Sequence, residues 1–147
     1  MTSWPSAGAS GVSELYKLLG VQPGLTAVIG SGGKTSLLRQ LARELPGSVI
    51  VATSTHIYPP EELPLHTAPL TARIHGKICA GTPTETGKLT APSQSWAELL
   101  TLADYVLVEA DGSKGLPLKA HRAFEPVIPA EARQVIALLG LSGLNRP

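Results

Sequence analysis

Cysteine is almost missing from this chain. Cys79 alone excludes an internal disulfide and a cysteine-cluster metal site, and fits a reducing cytosol. Aromatic residues make up only 4% of the chain, so Trp4, Trp96 and Phe124 are too sparse for a base-stacking platform. Neither sign of charge dominates. Twelve Lys and Arg against eleven Asp and Glu leave +1, without the dense basic cluster that nucleic acid or an anionic membrane would require. No apolar run approaches the roughly 20 residues of a bilayer-spanning helix. The N-terminus has no cation before Lys17 and no apolar core, so it does not read as a signal peptide. The expectation is a soluble, cytoplasmic protein that uses neither nucleic acid nor membrane.

What remains is a globular composition, 43% hydrophobic and 16% charged, at a length of 147 residues that suits one domain. Residues 1–11 are small and polar and read as a flexible tail; residues 12–147 read as one α/β domain. Val12, Leu15, Leu18 and Leu19 predict a short helix ended by Gly20. Leu25 to Ile29 reads as a buried strand and Ser36 to Leu45 as a helix, with Leu37, Leu38, Leu41 and Leu45 inward and Pro46-Gly47 as its stop. Ser48 to Ala52 is a β-branched strand covered on both faces. The prolines from Pro59 to Pro69 predict an irregular stretch, and Arg73 to Leu89 one or two short strands around Gly81 and Gly87. Ser95 to Ala103 predicts a capped helix; Tyr105 to Ala110 and Val135 to Leu141 predict two further strands. This alternation argues for a mostly parallel sheet with right-handed crossovers and ligands beyond its carboxyl edge.

Gly30-Ser31-Gly32-Gly33-Lys34-Thr35-Ser36 lies between the first strand and its helix. A glycine-rich turn of this kind offers backbone N–H groups and a helix N-terminus to phosphate, and Lys34 adds a positive charge. Thr35 stands where a Mg²⁺ ligand belongs. The pattern is the short form G-x-x-G-K-T, with Val28 where the longer G-x-x-x-x-G-K-[ST] form carries its first glycine. Residues Gly30 to Ser36 are therefore the expected nucleotide cradle.

A second cluster ends the strand at Tyr105: Glu109 and Asp111, two residues apart, share one face of it. A carboxylate there is expensive to bury without a cation. Asp111 is the expected second Mg²⁺ ligand, and Glu109 would polarise an attacking water or orient Asp111. The alternatives are a core lysine or arginine paired to Glu109, and Asp111 capping the next turn. Lys114 and Lys119 follow at the same end of the sheet, where they would either meet an anion or be solvated. Thr53, Thr55 and His56 close the second strand; the hydroxyls could meet a γ-phosphate or metal water, and His56 could serve as acid, base or substrate ligand. His66, His75 and His121 lack metal-ligand spacing.

Val28 to Ser36, Val51 to Ile57, Asp104 to Leu118 and Glu125 to Pro129, in this order, resemble the YqeC family of accessory proteins for selenium-dependent molybdenum hydroxylases. The acidic segment with its Leu-Pro-Leu-Lys continuation is the most specific piece. The resemblance implies a three-layer fold like that of the P-loop NTPases, ATP binding, and a role in maturing a selenium- and molybdenum-containing enzyme. Partners would be nucleotide and the hydroxylase or its cofactor-assembly proteins. Phe124 stands where the family usually has histidine. Family members also run beyond residue 147, so the sequence predicts a fragment, a split product, or a chain whose open sheet is covered by an oligomer or partner.

Three functional readings follow. The first is a Mg²⁺-dependent ATPase or phosphotransferase with Lys34, Glu109 and His56 at the reacting end. The second is a nucleotide-gated interaction module with little turnover, in which ATP orders residues 53–69 and 112–120. The third is a ligase resembling the Mur enzymes, whose G-T-x-G-K-T loop is similar but which need further substrate domains. The absence of an N-K-x-D motif favours ATP over GTP.

Overall fold

The computed structural model describes residues 14–111 and 127–140. The expected tail, Val12, Lys114, Lys119, His121 and Phe124 lie outside the described residues. Six strands form one parallel sheet: β1 (Gly24–Gly30), β2 (Val49–Thr53), β3 (Leu65–His66), β4 (Lys77–Ala80), β7 (Tyr105–Glu109) and β8 (Ala132–Leu138). Their order across the sheet is β3-β4-β2-β7-β1-β8, and every pairing is parallel. A small antiparallel hairpin, β5 (Thr82–Pro83) with β6 (Leu89–Thr90), stands apart from it. This is an α/β architecture of the P-loop NTPase type.

Helices α1 (Leu15–Leu19) and α2 (Lys34–Glu44) cover one face, and α3 (Trp96–Leu102) packs on the other. Handedness explains the split. The step from β1 to β2 and the step from β4 to β7 run in opposite directions across the sheet, so right-handed crossovers send α2 and α3 to opposite faces. Both faces of the central strands are thereby covered, and all five residues of β2 and of β7 are buried. Alternate residues divide them. Val28, Val49, Val51 and Leu107 meet Leu37, Leu38 and Leu41 of α2, whereas Ile50, Ala52, Val106 and Val108 meet Leu99 of α3. Complete burial of a leucine such as Leu41 contributes about 1.5–3 kcal/mol.

Several elements differ from the sequence reading, and four of the differences are informative. Helix α2 starts at Lys34 rather than Ser36, because Gly33, at φ +79°, turns the chain and its carbonyl already accepts the Leu37 N–H. Strand β8 starts at Ala132 rather than Val135 and stops at Leu138. Its polar start, Arg133-Gln134, concealed it; the Gln134 amide is spent on the Leu19 carbonyl at 2.7 Å. Strand β2 is shifted by one residue, to end at Thr53. The proline-rich stretch is not wholly irregular, since Leu65 and His66 pair with Cys79 and Ala80. Two residues between prolines suffice for an edge strand, where no donor need come from a proline.

Because the strands are parallel, the turns after β1, β2 and β7 emerge at one end. Register makes them level. Glu109 lies opposite Val28 on one side and Thr53 on the other.

Candidate functional site

The site is built from the carboxyl ends of β1 and β7 and the first turn of α2. Lys34 occupies that first turn, side chain inward and only 4% exposed. Its ammonium makes three short contacts: the Gly30 carbonyl at 2.8 Å, the Asp111 carbonyl at 2.9 Å and Asp111 Oδ1 at 2.8 Å. Glu109 Oε1 is further away, at 3.8 Å. The alternation of β7 accounts for the grouping, since residues 105, 107, 109 and 111 all face α2. Asp111 is wholly buried. Both of its carboxylate oxygens also accept from the Gly30 N–H, at 3.3 Å each. The predicted neighbours Gly30, Lys34, Glu109 and Asp111 are thus brought together.

One cation faces two buried carboxylates, and they do not behave alike. Burial pushes the Glu109 carboxyl up to about 7, Lys34 pulls it down, and Asp111 adds to the rise. Lys34 itself sits at the positive end of the α2 dipole, an unfavourable place for an ammonium unless carboxylates offset it.

The loop glycines play separate parts. Gly32 and Gly33 have left-handed backbones, at φ +58° and +79°, and a Cβ on either would meet nothing within 4 Å. Their open side is the free face of the loop. Gly30 is different: a Cβ there would lie 2.0 Å from the Leu138 carbonyl oxygen, so it is glycine because β8 passes against it. Ser31 belongs to that contact as well. It is buried, its N–H donates to the Leu138 carbonyl, and its hydroxyl accepts from the Gly140 N–H, both at 3.0 Å. Thr35 and Ser36 are exposed on the first turn of α2, and no side chain caps that helix. The expected phosphate face therefore contains Gly32, Gly33, Lys34, Thr35 and Ser36, with Gly30 and Ser31 engaged from behind.

Thr53, Thr55 and His56 follow another course. Thr53 is wholly buried, its hydroxyl donating to the Glu109 carbonyl at 2.9 Å and accepting from the Thr55 N–H at 2.9 Å. The Ser54 N–H donates to the same carbonyl at 3.1 Å. These contacts lock the tip of β2 to the tip of β7, a role that sequence reasoning missed; a threonine at the end of an apolar strand was its only signal. His56 is exposed and makes no hydrogen bond or ion pair with the described residues. Cys79 is buried among Ile57 and Leu89, and burial pushes its thiol up to about 12.

As for a metal, no three His, Cys, Asp or Glu side chains converge among the described residues. No helix among them is long and apolar enough to cross a membrane.

Residues 26–147 match the family described as YqeC protein. The chain is 35% identical over 153 aligned positions to the "Uncharacterized protein YqeC" of Escherichia coli (strain K12). The alignment covers 87% of this chain and 57% of that relative, so the chain spans a little over half the relative's length. No solved structure matches it. With the match extending from the middle of β1 through the loop and the acidic strand end, the chain belongs to the YqeC family.

Proposed function

We propose that this protein binds a nucleoside triphosphate, ATP in preference to GTP, together with Mg²⁺ at the carboxyl ends of β1 and β7. We further propose that it uses hydrolysis or phosphoryl transfer in maturing a selenium- and molybdenum-containing hydroxylase. One observation carries the nucleotide reading. A glycine turn leads into a helix whose first residue is a buried lysine, and that lysine faces two carboxylates on the adjacent parallel strand.

The residues present fit both groups. The first turn of α2 has no capping side chain and two glycines with open space, which suits phosphate oxygens. Magnesium keeps several waters and takes only one or two carboxylates beside phosphate, so Asp111 with Thr35 is a sufficient protein contribution. Lys34 would hold the β- and γ-phosphates, and the N–H groups from Gly32 to Ser36 would cradle them. Bound magnesium supplies charge neutralisation on the phosphates. Glu109 would orient the reacting water or hold Asp111, and its raised pKa suits a group that holds and releases a proton near neutrality. His56, exposed on the loop after β2, would serve as an acid, a base or a ligand for a second substrate.

The test is nucleotide binding by the purified chain with ATP and GTP in Mg²⁺, followed by product analysis with and without a hydroxylase partner. Saturable ATP binding lost in Lys34→Ala is the expected result. ATP affinity unchanged in that variant would refute the site. Binding without turnover, partner present, would replace catalysis with a nucleotide-gated interaction module.

A further inference from the structure

An ammonium has three N–H donors and no more. In this structure all three of those on Lys34 have inward acceptors: Gly30 O, Asp111 O and Asp111 Oδ1. The Asp111 carboxylate meanwhile accepts from the Gly30 N–H with both oxygens. A tethered anion thus occupies the lysine that a phosphate loop would offer its ligand, and the Gly30 amide steadies that anion from behind. Of the three acceptors around Lys34, two are backbone carbonyls. Only the carboxylate is a group that a hard cation would take in exchange.

We propose that Asp111 is a built-in competitor of phosphate, a latch that admits a metal-chelated triphosphate and excludes the metal-free anion. Magnesium carried in with the phosphates draws the carboxylate away from Lys34, and the freed ammonium takes a phosphate oxygen in its place. Magnesium alone leaves Lys34 without a new acceptor, and nucleotide alone takes from Asp111 the ammonium 2.8 Å away. Each ligand therefore raises the affinity for the other by the same factor. This inference rests on the nucleotide reading above and specifies which form of the nucleotide the site takes.

The experiment is calorimetric titration of the purified chain with ATP, in Mg²⁺ and in excess EDTA, for wild type, Asp111→Asn and Glu109→Gln. Wild type should bind ATP at least about tenfold more weakly in EDTA, and should take up no Mg²⁺ without nucleotide. Asp111→Asn should bind metal-free ATP about tenfold more tightly than wild type, because a neutral amide holds Lys34 less firmly than a carboxylate. Titrated above about pH 8, where Glu109 is ionised, Glu109→Gln removes one negative charge beside Lys34 but leaves the latch closed, so its gain for metal-free ATP should be clearly smaller. Equal gains in the two variants would reduce the effect to general repulsion and overturn the latch. So would wild-type ATP affinity that ignores magnesium, and this arm decides the matter even if Asp111→Asn does not fold. Absence of nucleotide binding by folded wild type in either condition would overturn the nucleotide reading and the latch together.

Discussion

Helix α2 has a lysine at each end, and the two are held in opposite ways. Lys77 reaches from β4 to the C-terminal end, where its ammonium donates to the Ala42 and Leu45 carbonyls. There it satisfies acceptors that the helix leaves open and complements the negative end of the dipole. Burial lowers its pKa, yet nothing about its position is in conflict. Lys34 sits at the positive end, against the dipole, and stays because Asp111 and Glu109 are buried beside it. One lysine finishes a helix. The other is held against the dipole by two carboxylates, and that difference marks the end of the sheet where the nucleotide is proposed to bind.

The strongest way to break the comparison is Lys34→Met. It leaves Asp111 buried without its ammonium, at a cost of about 3–5 kcal/mol in urea unfolding. Nucleotide binding in Mg²⁺ should also be lost, by more than about a hundredfold on titration. Next is Gly30→Ala, which drives a methyl into the Leu138 carbonyl at a left-handed φ of +112°. It should cost about 2–4 kcal/mol and loosen β8, seen as faster amide exchange along residues 132–138.

Glu109→Gln sharpens the electrostatics at the Lys34 end. The folded protein holds the Glu109 proton more tightly than the unfolded chain, whose ordinary value is 4.5. The associated stability is complete below pH 4.5 and is lost as pH rises through about 7. Wild-type unfolding free energy should therefore fall by about 2–3 kcal/mol across that window, and the glutamine variant should lack this fall. Asp104 works the other way and at lower pH: the Ser48 N–H, with Arg73 beside it, holds its carboxyl below its ordinary value of 3.8. The two windows are separate. The smallest effect belongs to Lys77→Met, about 1–2 kcal/mol of stability with nucleotide affinity unchanged. A loss of nucleotide affinity there would erase the contrast between the two ends.

Much of this was legible in the chain. Strands with no polar interruption, Val49–Thr53 and Tyr105–Glu109, announced a buried parallel sheet. Spacing alone put Glu109 and Asp111 on one face, and the geometry has them both beside Lys34. What escaped were roles that depend on strands distant in sequence. Gly30 and Ser31 read as cradle residues, because nothing local reveals that Leu138 and Gly140 pass behind them. Thr53 read as a hydroxyl for a ligand, whereas its partner is a backbone carbonyl 56 positions away. Strand β8 opened three residues early because arginine and glutamine headed it. Local pattern carries the type of an element well, but it says little about which neighbour consumes a side chain.

The packing of Gly30 and Ser31 against Leu138 and Gly140 has a consequence for synthesis. The loop that begins at residue 30 leaves the ribosome long before the strand behind it, residues 132–138, is made. A nascent chain therefore carries its glycine-lysine segment without the wall that shapes it. The backbone of Gly30 and Ser31 gains its partners only when β8, the last described strand, docks at the edge of the sheet, so the final shape of the loop depends on the end of the described chain.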